Sequence, residues 1–187
     1  MRVVMVDAPD HFLEERRRLG HDRWDEMWEG VLHVAPLPDS RNQRLAIKLG
    51  AILLPLAEAP GLIGLQSPSG FWPGRTDSWR VPALGFARRE FVSERGVEGR
   101  AKLVVEVRSP RDETYDKLPF YGEVGCQEVL VVDRDSLALE LFVSQDGQMV
   151  ATAPDAGGRL RLASVDASVG PAILIEWAGG SAAIVPY

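Results

Sequence analysis

A carboxylate sits inside an apolar run at Leu103-Val104-Val105-Glu106-Val107, and Ser109-Pro110 closes the run. A continuous β-branched stretch of this length reads as a central strand. A charge buried in such a strand is costly unless it is paired, protonated or bound to a metal, so Glu106 is the first candidate for chemistry. Alternation puts Glu106 and Arg108 on one face of the strand and Val105 and Val107 on the other. Two readings follow from the residues alone. Glu106 is salt-bridged to Arg108 or Lys102 near a strand end, or it serves a cation site.

The other reactive residue types are more scattered. His11, His21 and His33 show no metal-ligand spacing and read as hydrogen-bonded structural or surface groups. Cys126 follows Gly125 just before an apolar run, the setting of a small core residue rather than a nucleophile. As the one cysteine it excludes Cys-pair zinc sites and disulfide frameworks, and it favours a reducing compartment. There is no Gly-x-Ser-x-Gly elbow and no phosphate-cradling glycine loop. Arg16, Arg17 and Arg18, with Arg23, either grip a phosphate backbone or form the solvated face of a helix beside Glu14 and Glu15. The tryptophans are chiefly packing residues, although an exposed Trp72 or Trp79 could stack on a base.

These groups have to be positioned by 187 residues carrying 21 Lys and Arg against 27 Asp and Glu, with 45% hydrophobic residues. That is the balance of a single ordinary soluble domain spanning 1–187, long enough to bury roughly 70% of its unfolded surface without disulfides or structural metal. No apolar run approaches the roughly 18 to 20 residues of a membrane span, and the Met1–Asp10 stretch does not resemble a secretory signal, so the expectation is a cytoplasmic protein with no membrane partner. The net charge of −6 argues against a general nucleic-acid coat but leaves room for a local basic patch. A homodimer is the default assembly.

The patterning predicts a helix capped by Asp10 and stopped by Gly20, a Trp-rich segment around Trp24 and Trp28, and a strand Val31–Val34 closed by Pro36 and Pro38. Leu45, Leu49, Ile52, Leu53 and Leu56 then recur at helical spacing from Asp39 or Ser40, with a bend at Pro55. Strands are expected over Leu62–Gln66 and Arg80–Ala87, separated by turns from Ser67 to Ser78. After the Glu106 strand come a helix over Thr114–Val124 with Pro119 in its first turn, a hairpin-like pair Glu128–Asp133 and Leu137–Val143, and weaker strands beyond a turn at Asp155–Gly158. The order implies an α/β (α+β) fold, a mixed sheet flanked by helices, with a right-handed crossover between Val107 and Glu128.

Several of these segments together resemble a known family. Leu103-Val-Val-Glu-Val-Arg-Ser-Pro110, Asp112-Glu-Thr-Tyr-Asp-Lys117-Leu-Pro-Phe-Tyr121 and Glu128-Val-Leu-Val-Val-Asp133 are similar to the Uma-type restriction endonucleases of the PD-(D/E)XK nuclease superfamily. So are Glu26-Met-Trp-Glu-Gly-Val-Leu-His33, Pro38-Asp-Ser-Arg-Asn-Gln-Arg-Leu45 and Arg80-Val-Pro-Ala-Leu-Gly-Phe-Ala-Arg88, and the likeness runs from about Asp10 to Val143. The resemblance implies a restriction endonuclease-like core that hydrolyses DNA phosphodiesters with Mg²⁺ or Mn²⁺. It implies Glu106 as the strand glutamate, Arg108 at the place of the superfamily lysine, Lys117 as the helix lysine, and Glu26 as a further metal or water ligand. The metal would rest on Glu106, Glu26, the backbone carbonyl of Val107 and the position now held by Ala83; Arg16, Arg17, Arg18 and Asn42 would meet nucleic acid.

Two departures shape the expectation. The Pro-Asp motif reads Pro82-Ala83, and the family histidine of the long helix reads Asn42. Alanine offers no lone pair, and Mg²⁺ normally rests on one or two carboxylates, so metal binding and cleavage should be weakened or lost. Asp77 lies six positions before Ala83, about 20 Å along an extended strand, and could substitute only through a tight fold-back. The alternative is a non-catalytic nucleic-acid- or protein-binding module on the same fold.

Overall fold

The computed structural model describes residues 3–35, 38–110 and 112–184. In chain order its elements are β1 (Val3–Met5), α1 (Asp10–Leu19), β2 (Glu26–Trp28), β3 (Val31–Val34), α2 (Ser40–Glu58), β4 (Leu62–Gln66), β5 (Ser69–Phe71), β6 (Trp79–Arg80), β7 (Leu84–Arg88), β8 (Gly96–Glu98) and β9 (Leu103–Arg108). There follow α3 (Leu118–Glu123), β10 (Glu128–Asp133), β11 (Leu139–Gln145), β12 (Gln148–Ala151), β13 (Leu160–Leu162), β14 (Ala167–Gly170), β15 (Leu174–Trp177) and β16 (Gly180–Ala183). Among the described residues the strands form three sheets, ordered β12-β11-β10-β9-β7-β4, β1-β3-β2-β6-β5-β8 and β13-β14-β15-β16.

The first of these sheets positions the chemistry. Runs of Val and Leu make β9 and β10 its centre, paired in parallel with Glu106 opposite Val131, while β7 flanks β9 and β11 flanks β10 in antiparallel fashion. Alternation splits the side chains between two cores. Leu103, Val105, Val107, Leu130 and Val132 face α2 and the C-terminal sheet, and Val104, Val129 and Val131 face α3. Glu106 therefore lies on the α3 face. The ladder between β7 and β9 ends at Leu84–Val105, so the last residues of β9 run beyond it.

The long helix forms as the sequence predicts. The Asp39 carboxylate accepts hydrogen bonds from the Arg41 and Asn42 N–H groups, capping α2, and Leu45, Leu49, Leu53 and Ala57 bury one face. Pro55 lies within the helix. Gly20, with φ of 66°, ends α1 in the left-handed conformation. Asp10, however, is the first helical residue, and Pro9 occupies the cap position without a side-chain bond.

Other local expectations change. Arg80–Ala87 is not one strand: β6 and β7 belong to different sheets, divided at Val81-Pro82-Ala83, where proline supplies no N–H to a ladder. The expected turns between Ser67 and Ser78 enclose β5, and the Trp-rich segment becomes a 3₁₀ turn at His21–Trp24 followed by β2. Thr114–Val124 divides into a 3₁₀ turn at Tyr115–Lys117 and α3, with Pro119 in the first turn of α3. The second hairpin strand begins at Leu139, after Leu137 takes a positive φ of 57°. Pro36 lies outside the described residues.

Candidate active site

Beyond the end of the β7 ladder, a cavity of about 720 Å³ opens at the C-terminal end of β9, with Glu26, Ala83, Glu106, Val107, Glu113 and Lys117 among its walls. Three elements deliver its charged groups. β9 carries Glu106, β2 carries Glu26, and the 3₁₀ turn leading into α3 carries Lys117. The Lys117 Nζ lies 2.7 Å from Glu26 Oε1 and 3.2 Å from Glu106 Oε1, joining two carboxylates that are 80 residues apart in the chain. Glu26 and Glu106 are 6% and 5% exposed, so this is a buried acid–ammonium–acid cluster.

The surrounding donors fix its orientation. The Tyr121 hydroxyl donates to Glu106 Oε1 at 2.6 Å. Glu26 Oε1 accepts the Val81 N–H at 2.8 Å, and Glu26 Oε2 accepts the Trp28 indole N–H at 2.9 Å. Tyr121 and Lys117 both engage Glu106 through Oε1, and the residue lines the cavity. Desolvation pushes the Glu106 carboxyl above the usual carboxylate range, and Lys117 opposes that shift incompletely. Burial works against the Lys117 charge too, but Glu106 and Glu26 outweigh it and hold the ammonium more firmly protonated than an ordinary lysine. Tyr121, buried beside the same carboxylates, is held neutral.

The structure thus brings Glu26, Ala83, Glu106, Val107 and Lys117 together around one cavity, and Asn42 reaches its wall, donating to Ser109 Oγ at 2.9 Å. Arg108 is not among the cavity residues. Its guanidinium donates to Asp133 Oδ2 at 2.7 Å and lies 5.2 Å from the Tyr115 ring centre. Arg16 forms a two-pronged pair with Asp25 at 2.5 and 2.6 Å, Arg18 pairs with Glu15, and Arg17 is exposed on the same helix, all away from the cavity. Asp77 stays exposed against Arg75 and does not line the cavity. Among the described residues no three His, Cys, Asp or Glu side chains converge as a metal-ligand group.

Three participants were not assigned a role by the sequence. Tyr121 lies four residues after Lys117, a spacing that puts both on one helical face, and Trp28 lies two after Glu26 on one strand face. Both spacings were readable. Glu113 was not, because its carboxylate meets His33 Nδ1 at 3.0 Å across 80 residues of chain. His33 also stacks on Trp28, ring centres 4.1 Å apart, and so acts as a structural prop behind Glu26. Cys126 is fully buried, its thiol pushed up to about 12 by burial, a core residue and no nucleophile.

Comparison with known proteins supplies three findings. The profile of the Uma2 family, described as "Putative restriction endonuclease", matches residues 13–167, beyond the Val143 limit of the motif likeness. A solved structure of "a putative nuclease belonging to DUF820" from Anabaena variabilis ATCC 29413 superposes with a TM-score of 0.57 at 13% identity, covering 72% of this chain and 78% of that one. No curated protein matches the chain. The structural likeness establishes the shared fold, a mixed α+β architecture.

Proposed function

This chain belongs to the Uma2 family, and from that premise we propose that it is a metal-dependent DNA phosphodiesterase of restriction endonuclease-like type, weakened because Ala83 stands at the position of the motif aspartate. The observation that carries the reading is the buried Glu26–Lys117–Glu106 cluster at the floor of the cavity. Glu106 Oε2 and the Val107 carbonyl would hold Mg²⁺ or Mn²⁺, with water completing the shell, a set that fits Mg²⁺ because this ion keeps several waters and few carboxylates. When bound, the cation would polarise the scissile phosphate and lower the pKa of an attacking water. One carboxylate oxygen fewer makes that hold weak.

The chain's own groups do the remaining work. Lys117 offers a fixed positive charge to the charge developing on the phosphate, and it needs no reorganisation because two carboxylates already hold it. Glu26, engaged by three N–H donors, anchors Lys117 and adds a metal ligand only if one of those donors yields. Tyr121 holds Glu106 by Oε1, so that Oε2 would be the oxygen offered to the cation. Arg108 takes part only if it leaves Asp133. Asn42 meets the substrate at the rim. The arginines of α1 would touch the outlying backbone through Arg17, since Arg16 and Arg18 are paired.

Incubation with duplex, single-stranded and branched DNA in Mg²⁺ or Mn²⁺ tests the reading. The wild-type chain should cut slowly or not at all, Ala83→Asp should raise the rate, by analogy with the roughly 10- to 100-fold that a lost metal partner costs, and Glu106→Ala should remove whatever cutting there is. Robust wild-type cleavage would refute the weakening. An inert Ala83→Asp on all three substrates would refute the nuclease reading and leave a non-catalytic binding module.

A further inference from the structure

We propose a second anion site: a groove at the opposite end of the central sheet, lined by Arg88, Arg100 and Lys102, that binds the phosphodiester backbone of a polynucleotide. Two adjoining hollows of about 570 and 390 Å³ share Arg88, Lys102, Gly125 and Gln127, and Arg100 lines the second. The groove lies where β9 and β10 begin, whereas the catalytic cavity lies where β9 ends. Lys102 and Glu106 are separated by about 13 Å of strand. The two sites are distinct.

Backbone bonds fix the cations side by side. The Lys102 N–H donates to the Phe86 carbonyl at 2.7 Å, the Gln127 N–H to Ala101 at 2.9 Å and the Arg100 N–H to Val124 at 2.8 Å, tying the end of β7 to the segments that enter β9 and β10. Among the described residues ten arginines are paired: Arg16, Arg18, Arg41, Arg75, Arg80, Arg95, Arg108, Arg134, Arg159 and Arg161 all meet carboxylates. Among the described residues Arg88, Arg100 and Lys102 have no ion pair, and they share one groove. Arg100 rests over the Phe91 ring at 5.7 Å, which orients the guanidinium without neutralising it.

The nearby acids do not cancel this charge. Glu128 is buried and its carboxylate is taken by the Ala163 and Ser164 N–H groups, which leaves Glu90 on the rim. Two guanidinium forks and an ammonium around a solvent-filled groove suit the non-bridging oxygens of phosphate. The choice of a polynucleotide as the source of that phosphate rests on the nuclease reading above.

Fluorescence anisotropy of a labelled single-stranded oligonucleotide with the full chain in EDTA tests the groove. Without a divalent ion the catalytic cavity, where Glu26, Asp39, Glu106, Asp112 and Glu113 outnumber Lys117 and Arg134, repels phosphate, and the share of binding that substitutions in the groove remove separates it from Arg17 on α1. The wild type should bind. Arg88→Glu with Lys102→Glu should lose on the order of tenfold in affinity, and between about 50 and 200 mM salt its log–log slope should be shallower by roughly 1.4, two contacts at about 0.7 each. Arg88→Gln with Lys102→Gln guards against misfolding and should weaken binding in the same direction. Unchanged affinity in a folded double variant, or no binding by the wild type, overturns the proposal. Equal competition by inorganic phosphate at the same phosphate concentration assigns the groove to free phosphate and also overturns it. Cleavage by Ala83→Asp is read separately, so either proposal can fail alone.

Discussion

Glu106 shows how far a single residue can be read. A carboxylate inside Leu103–Val107 is conspicuous because its burial has to be compensated, and the structure compensates it with Lys117 and Tyr121 rather than with Arg108 or Lys102. The partner could not be chosen from the strand alone, since Lys117 arrives from another element. Burial holds the Glu106 carboxyl above its ordinary value of 4.5, so the folded chain keeps a proton there that the unfolded chain has already released. The folded state binds more protons in that window, and this contribution to stability declines as pH rises from about 4.5 through the folded value. Glu106→Gln removes it. In urea titrations the difference between variant and wild type should be flat below pH 4.5 and move in the variant's favour above it; parallel profiles across the range would contradict the shift. Lys117→Ala should act in the opposite direction, destabilising by about 3–5 kcal/mol near neutral pH because it leaves two buried carboxylates uncompensated. A loss within a few tenths of a kcal/mol would mean that the cluster is solvated.

Helix α3 is held to its place by features that no local pattern reveals. Its Pro119 start and the four-residue spacing of Lys117 and Tyr121 are visible in the sequence, as are the capped α2 and the parallel β9–β10 pair, whereas the shortness of α3 is not. What the sequence does not display is how close α3 approaches the β11–β12 hairpin. A Cβ added at Gly122 would lie 2.2 Å from the Gly147 carbonyl oxygen, a backbone atom 25 residues away. Gly122→Ala must therefore move the helix or the hairpin, and α3 carries Tyr121 while the turn before it carries Lys117. The expected cost is about 1–3 kcal/mol in urea unfolding, the range of an overpacked core, and any cleavage gained through Ala83→Asp should fall when Gly122→Ala is added. Unchanged stability would show that the hairpin yields freely. The split between β6 and β7 was hidden for a similar reason. Pro82 marks a break, but only the two sheets show that the chain changes layer there and lays the Val81 N–H on Glu26.

At the scale of the whole molecule, the least legible part is the C-terminal sheet. Short strands after Asp155 are expected from the sequence, yet their role depends on which core they close. Leu160, Leu162, Val165, Ala167, Val169, Ile173 and Ile175 are buried in the same cluster as Leu49 and Leu53 of α2 and Val105 of β9. The sheet is also bonded at its edge, where the Glu128 carboxylate receives the Ala163 and Ser164 N–H groups and Ser164 Oγ donates to the Lys102 carbonyl. Strand β9 is thus covered on its α2 face by residues more than 50 positions downstream, and the strand that carries Glu106 is only as rigid as that cover. A chain ending at Pro154 would expose this face. Each buried Val, Leu or Ile contributes about 1.5–3 kcal/mol, so losing the six of them in this list, roughly 9–18 kcal/mol, removes as much as the roughly 5–15 kcal/mol by which a domain is normally stable. The shortened chain should lack a sigmoidal urea transition and bind a hydrophobic dye, as loosely packed states do. A cooperative transition that survived the truncation would mean that the sheet is a separate folding unit and that β9 is held by its neighbours alone.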